Sequence, residues 1–288
     1  MKQAAKSSSF KQDSLSHDEQ KAILSLRACV DQRLKGDPAL QLWCTDLTLI
    51  RYLRARSWDV NKANQMLHKT LDWRSSYKPH EITWAEVSEE ATTGKLFRMH
   101  TLDREGRPVL VMRPRNENSN IYERRLKFLV YCLECASQIA DESGVGRMTW
   151  LIDFAGYSLS NAPPVRMSMQ TTSILQNHYP ERLGLAVCYH PPIIFQVTWK
   201  ACKPFVDPIT KNKILFLDKS AGSQKLMAEK FDLAQLEECL GGSLPASEAF
   251  NMQTYGSCMQ EEEMKRSQAL QKLQLHAQPG NVTQLNVT

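Results

Sequence analysis

Residues 179–218 read YPERLGLAVCYHPPIIFQVTWKACKPFVDPITKNKILFLD, two apolar runs joined by a segment of helical length. Leu183 to Tyr189 is short and apolar and stops at His190-Pro191-Pro192, as a buried strand does; Lys213 to Leu217 is a second such run, opened by the turn Asp207-Pro208. A connection of that length cannot be a hairpin. The stretch reads as strand, crossover helix and parallel strand, with both strands starting at one edge of a sheet and lying roughly 4.8 Å apart if adjacent. Glu181 and Lys213 then sit at the two starts, so an acid and a base distant in sequence converge on one edge, and Thr210 joins them from the turn.

The crossover helix has an unusual composition. From Ile193 to Phe205 the strongly polar positions are Gln196, Lys200 and Lys203, and their spacing of four and three puts them on one stripe. Ile193, Ile194, Phe195, Val197, Trp199 and Phe205 occupy most of the remaining circumference, whereas an ordinary crossover helix needs an apolar face of about 100°. Two readings stand at this point: a helix buried on two sides, or a lid whose second apolar face meets a lipid or a membrane.

Outward from this stretch, strand and helix alternate. Arg107–Pro114, after the turn Asp103-Arg104-Glu105-Gly106, reads as the first clear strand, Glu123–Asp141 as a helix, Met148–Phe154 as a strand and Pro163–His178 as a helix; Gly222–Lys230 is the last short helix before the chain closes near residue 250. This is the pattern of an α/β domain with a mostly parallel sheet flanked by helices, assigned to residues 78–250. Ahead of it, residues 17–77 carry three amphipathic helices, the first capped by Ser16, the second at Asp46–Arg56 and the third at Asn61–Tyr77 with Asn61 as its cap. Arg51, Arg54 and Arg56 cluster there, either as a solvated basic edge or as an anion site. Residues 1–16 and the polar tail 251–288 frame the two units; the first is expected to be disordered, and EEEMKRSQALQKLQL in the second to form a solvent-facing helix.

Composition narrows the function classes. An apolar fraction of 42%, a charged fraction of 23% and a net charge of +5 describe an ordinary globular protein, and the dispersed Lys and Arg are compatible with an anionic lipid or a nucleic acid and diagnostic of neither, so no nucleic-acid partner is assigned. No apolar run approaches the ~18 residues of a membrane span, and the N-terminus has no apolar signal region, so a cytosolic protein is expected. The eight cysteines are scattered, and Cys132-x-x-Cys135 lacks the second pair a metal site needs, which makes them core thiols and leaves no metal. There is no nucleophile elbow, zinc-protease helix, P-loop or dinucleotide fingerprint, so no catalytic set is assigned and no enzyme is expected. Asp153, at a strand end, reads as a structural hydrogen-bonding carboxylate. An α/β sheet without such chemistry, beside an overly apolar crossover helix, indicates a binding module.

The segments LTLIRYLRARSWDVNKA, DREGRPVL, YPERLG, KPFVDPITKNKI and LGGSLP, in that order from about residue 46 to 245, resemble the CRAL-TRIO lipid-binding family, in particular its secretory-pathway phosphatidylinositol transfer branch. The resemblance implies an α/β domain closing around one lipid, a small helical domain before it and a gating helix at Pro192–Phe205. By position it implies headgroup contacts from Arg56, Glu181, Thr210 and Lys213, and no cofactor beyond the bound phospholipid itself. The implied chemistry is coherent, since a phosphodiester needs a cation and a ring of hydroxyls needs an acceptor. Met148, Trp150 and Ile152 share one strand face as pocket residues. In branch members that also carry phosphatidylcholine, the positions of Met148 and Trp150 hold small hydroxyl residues; here they do not, which implies weak or absent phosphatidylcholine transfer and either phosphatidylinositol alone or a second, unidentified apolar lipid such as a sterol.

The resulting expectation is a monomeric cytosolic protein that exchanges phosphatidylinositol between membranes, associates transiently with endomembrane surfaces and presents its lipid to phosphatidylinositol kinases. A carrier of a sterol-like or tocopherol-like molecule and a non-enzymatic interaction adaptor on the same fold are the alternatives.

Overall fold

A computed structural model describes residues 15–158, 163–202 and 208–277. Expectations that fall on residues 1–14, on Lys203 and Phe205, and on positions 278–288 lie outside it. The helical unit comprises α1 (His17–Leu34), α2 (Pro38–Trp43), α3 (Asp46–Arg54) and α4 (Val60–Tyr77), closed around Leu26, Val30, Leu49, Leu53, Leu67 and Leu71, all fully buried. A capping box starts α1, as Ser16 Oγ accepts from Glu19 N while the Glu19 carboxylate accepts from Ser16 N at 2.8 Å. The sequence reading placed the cap of α4 at Asn61; the cap is Asp59, whose carboxylate accepts from Lys62 N. Asp37 caps α2 with Pro38 in its first turn, where a missing N–H costs nothing.

The second unit follows as α5 (Trp84–Ala91), β1 (Leu96–Leu102), β2 (Pro108–Met112), α6 (Tyr122–Glu142), β3 (Met148–Asp153), α7 (Val165–His178), β4 (Leu183–Tyr189), α8 (Ile193–Cys202), α9 (Pro208–Lys211), β5 (Ile214–Leu217), α10 (Ala221–Lys230), α11 (Ala246–Ala249) and α12 (Met252–Ala277). The five strands lie in the order β1-β2-β3-β4-β5, with β1 antiparallel to β2 and the other pairs parallel. The expected mostly parallel sheet is therefore present, with β1 as an additional edge strand that the sequence reading did not find. Polar residues interrupt it: Arg98 is buried and paired with Glu262 of α12, and its amide donates to Tyr255 Oη. The turn before β2 is locked by Asp103, whose carboxylate accepts from Arg107 N, Arg107 Nε and, at 2.6 Å, Thr149 Oγ1 of β3.

A solvent-facing helix was expected near the C-terminus. Instead, α12 begins nine residues earlier than that segment, at Met252, and its first half is packed on α5 and β1 through buried Tyr255 and Met259, with Trp84 N donating to Glu263 Oε2 at 2.7 Å. Further along, the Arg266 guanidinium stacks over the Tyr131 ring of α6.

Buried charges join the two units. Arg74 of α4 makes two parallel bonds to the Glu134 carboxylate of α6, at 2.9 and 2.7 Å, and Tyr179 Oη donates to the same carboxylate. Burial alone would raise the Glu134 pKa, but the Arg74 charge overrides it and holds the group at about 2. Beside this pair the His178 ring stacks on Trp73 at 4.2 Å and meets Thr70 Oγ1, and burial followed by the nearby Arg74 lowers its pKa to about 4. Both values lie below those of the unfolded chain, so the stability they give is present above the unfolded pKa and is lost as pH falls toward the folded one. The thermal midpoint is expected to hold steady above about pH 6.5, to decline toward pH 4 as unfolded His178 takes up a proton, and to decline further below about 4.5 as Glu134 follows. His178→Phe, which keeps the stack, should flatten the upper part of that decline in a calorimetric pH series, and an unchanged slope would contradict this assignment.

Candidate functional site

Parallel pairing brings the starts of β3, β4 and β5 to one end of the sheet, with Met148 opposite Leu183 and Ile214 opposite Ala186. Met148 N donates to Arg182 O at 2.8 Å and Ala186 N to Lys213 O at 2.7 Å, so the residues just before these strands meet at one edge. There Glu181 Oε2 lies 3.9 Å from Lys213 Nζ and 3.5 Å from Arg147 Nη2. All three side chains are partly accessible, at 22%, 14% and 27% respectively. Thr210 stands in α9, and its carbonyl accepts from Lys213 N at 3.0 Å. The structure thus brings Glu181 and Lys213 together as the strand reading required.

Glu181 is held in an uncommon backbone conformation, φ 58°, which costs a non-glycine residue about 1 kcal/mol. Its neighbours impose it. Tyr179 is pinned to Glu134, while Arg182 grips Asp141 with two bonds of 2.6 and 2.7 Å and donates to Gly146 O. Between these two anchors the chain presents the Glu181 carboxylate to the cations at the edge.

The arginines are arranged differently from the sequence reading. Arg56 turns back on its own loop, Nη1 donating to Ala55 O at 2.9 Å. The arginine of that segment coupled electrostatically to the edge is Arg54: burial lowers its pKa, Arg147 lowers it further, and Glu19 and Glu181 oppose both. Neither Arg54 nor Arg147 was singled out as a site residue. For Arg147 a signal existed, since it immediately precedes β3 as Lys213 immediately precedes β5.

From this edge an apolar floor runs along one sheet face. Register places Leu110, Trp150, Ala186 and Ile214 in one row and Met112, Ile152, Cys188 and Phe216 in the next. Trp150, Ile152, Ile214 and Phe216 are only half-buried, whereas Thr149, Leu151, Asp153 and Val187 on the opposite face are fully enclosed. Met148 is also fully buried, at the point where the β3–β4 register slips. Gly184 sits at that slip, and a Cβ there would fall 2.6 Å from Arg107 Cδ and 3.2 Å from Arg147 Cβ.

Above the floor lies α8. Phe195 packs on Phe154 at 4.4 Å and near Phe216, and Trp199 lies 5.7 Å from Phe216, so these two residues, one turn apart, face inward. Ile193 and Val197, also one turn apart, are 79% and 59% exposed, and Ile194 is exposed as well. Of the two readings of this helix, the geometry favours the one with a second apolar face directed at solvent. His190, with φ 54°, makes the bend between β4 and the Pro191-Pro192 step into the helix.

Asp153 has the structural role expected of it, accepting from Arg115 Nη1 at 2.7 Å and from Ala155 N at 3.0 Å while wholly buried. Cys132 and Cys135 are buried on α6, and burial pushes the Cys135 thiol up to about 11. Among the described residues no His, Cys, Asp and Glu cluster could hold a metal, and no helix is long and apolar enough to cross a membrane.

A helical unit docked on an α/β sheet, with an apolar floor under one helix and a charged edge at the floor's end, defines a module suited to an amphiphile. The profile of the CRAL/TRIO domain matches residues 92–242, and that of the CRAL/TRIO N-terminal domain residues 8–69. The chain belongs to the CRAL-TRIO lipid-binding family. Similar proteins include a CRAL-TRIO domain-containing protein of Schizosaccharomyces pombe, 34% identical over 207 residues, which are 71% of this chain and 19% of that protein. The phosphatidylinositol transfer protein PDR17 of Saccharomyces cerevisiae is 32% identical over 188 residues, 61% of this chain and 53% of that one. The SEC14 cytosolic factor of Candida glabrata is 30% identical over 226 residues, 71% and 72% of the two chains. The chain therefore spans about a fifth and about half the length of the first two relatives. In fold it is similar to the crystal structure of Sfh5, with a TM-score of 0.61 at 16% identity, covering 87% of this chain and 98% of that one.

Proposed function

We propose that this protein binds one phosphatidylinositol and exchanges it between membranes, with the lipid as its ligand rather than a cofactor and with no covalent chemistry. The observation that carries the proposal is the meeting of Lys213 and Glu181 at the edge from which the half-buried apolar floor runs beneath α8. Lys213 supplies a cation for the phosphodiester, Glu181 an acceptor for ring hydroxyls, and Thr210 a hydroxyl donor from the adjoining turn. The acyl chains follow the floor past Trp150, Ile152 and Phe216. Arg56 is the remaining residue of the implied headgroup set, and it would have to leave Ala55 O to take part. Met148 and Trp150 offer a choline lipid no hydroxyl, which favours an apolar molecule such as a sterol as the second ligand. In this reading the protein works as a monomer in the cytosol, visits endomembrane surfaces and presents its lipid to phosphatidylinositol kinases.

Removing either polar partner should stop exchange without unfolding the chain, because both side chains are partly accessible. Lys213→Ala and Glu181→Ala are each expected to abolish phosphatidylinositol transfer between vesicles while the circular dichroism spectrum is retained. Wild-type transfer in both variants would overturn the headgroup assignment.

The outward face of α8 supplies the membrane contact. If opening and docking move about 200 Å² of apolar surface from water into lipid, the gain is roughly 5 kcal/mol, enough to offset lost closed-state contacts at a bilayer and nowhere else. Phe195 and Trp199 pack inward, so the test belongs to the residues that do not. Ile193→Asp or Val197→Asp should lower vesicle binding and transfer rate at least several-fold with lipid already loaded unchanged, and normal vesicle binding by both variants would remove the gating role.

A further inference from the structure

We propose that Arg115 is a positioning residue for the gate: it fixes the turn that carries Phe154, the ring on which α8 rests, and so sets how fast a bound lipid leaves. The proposal rests on the reading of α8 as a gate and extends it to a residue that belongs to neither the gate nor the floor.

The turn is built from the end of β3. Phe154 N continues the ladder to Tyr189 O at 2.9 Å, and Phe154 O accepts from Tyr157 N at 3.0 Å, which closes the four residues Phe154-Ala155-Gly156-Tyr157. Gly156 supplies left-handed backbone, φ 67°, at the third position of this turn. Phe154 is buried, with Tyr157 at 5.4 Å and Phe195 of α8 at 4.4 Å. The second of these is the shortest ring contact of α8 among the described residues; Phe216, the other support, lies 6.3 Å from Phe195 and 5.7 Å from Trp199. The two supports differ in kind. Phe216 stands within β5, paired with Cys188 of β4, whereas Phe154 lies one residue past β3 and depends on its turn.

Arg115 restrains that turn. Its Nη1 donates to Asp153 Oδ2 at 2.7 Å and to Ala155 O at 3.1 Å, so one nitrogen grips the residues on either side of Phe154. Ala155 N donates in turn to Asp153 Oδ1 at 3.0 Å. The stem of Arg115 lies along the turn, its Cδ 3.4 Å and its Cβ 3.6 Å from where a Cβ on Gly156 would be. Asp153 is wholly enclosed while the Arg115 side chain is 29% exposed, so the guanidinium covers a buried carboxylate at the surface. Charge-assisted bonds are roughly twice as strong as neutral ones, and this contact therefore restrains the turn more than either backbone bond does.

Removing the Arg115 guanidinium leaves Asp153 a cation, because Arg113 Nε lies 3.7 Å from the same carboxylate and Arg113 is itself held by Glu237. The support of α8 is what changes. A turn free to shift carries the Phe154 ring away from Phe195, and α8, a helix of 10 residues, is too short to stay formed without tertiary contacts. The closed position is then less populated, and the lipid beneath it leaves more often.

The test reads α8 itself. Full-length protein is loaded with phosphatidylinositol and mixed with an excess of phosphatidylcholine vesicles, and the phosphatidylinositol remaining on the protein is followed by mass spectrometry. Hydrogen exchange is measured in parallel on peptides from residues 193–202, with and without lipid. Arg115→Met, which keeps a long stem, should raise both the release rate and the exchange of α8 by about threefold or more, while exchange in β3, β4 and β5 stays at the wild-type rate. Arg115→Lys, able to keep one of the two bonds, should fall between. Phe154→Leu should match Arg115→Met, and Arg115→Met should add almost nothing in that background, since both act through one ring. Unchanged release and unchanged α8 exchange would overturn the proposal, as would faster exchange spread evenly over sheet and helix, or additive effects of the two substitutions. Should Arg115→Met not fold, Arg115→Lys alone and combined with Phe154→Leu carries the same comparison. Wild-type protein that takes up no phosphatidylinositol would overturn the headgroup reading, and α8 exchange in the lipid-free chain would still decide this one.

Discussion

Parallel strands all enter their sheet from the same end, and this constraint organises the rest of the molecule. Because β3, β4 and β5 all start toward one end of the sheet, residues 147, 181 and 213, far apart in sequence, are neighbours there. The same register sends alternate side chains of these strands to one face, where Trp150, Ile152 and Phe216 remain half-buried. A charged end and an apolar length are thus two consequences of one hydrogen-bond ladder, and together they match the two halves of an amphiphile.

Maintaining that edge requires buried charge elsewhere. Arg182, next to Glu181, shares Asp141 with Arg51 of the helical unit, and burial together with Arg182 lowers the Arg51 pKa to about 9. Tyr179, two residues before Glu181, joins the Arg74–Glu134 pair. Breaking such pairs costs several kcal/mol because one charge is left enclosed without its partner. The helical unit therefore does more than precede the sheet: its arginines fix both flanks of Glu181 and so its left-handed backbone. Membership of the CRAL-TRIO family accounts for the order of the two units, and these contacts show how one supports the site on the other.

Much of this was legible in the sequence, and the exceptions have physical causes. The 179–218 stretch gave strand, crossover and strand because apolar runs bounded by proline have few other readings, and Glu181 and Lys213 followed from topology alone. In contrast, β1 was hidden because Arg98 and His100 break its apolar pattern, and their partners come from α12, more than 150 residues away. The buried half of α12 was hidden for the same reason, since Glu262, Glu263 and Arg266 look solvent-exposed until Arg98, Trp84 and Tyr131 are placed against them. Helical periodicity could group Arg51, Arg54 and Arg56 but could not say that Arg51 faces Asp141, Arg54 the edge and Arg56 its own loop. Nor could the apolar circumference of α8 say which residues face the floor; that depended on Phe154 and Phe216.

The central claim is that one phosphoinositol lipid binds along the floor beneath α8 with its headgroup at the Glu181 edge. Native mass spectrometry of the full-length protein, purified without detergent and followed by identification of the released ligand, tests it most directly. The account predicts one lipid per chain, phosphatidylinositol in clear excess over phosphatidylcholine. A chain that carries phosphatidylcholine equally well, or only ligands without a phosphate, would contradict it.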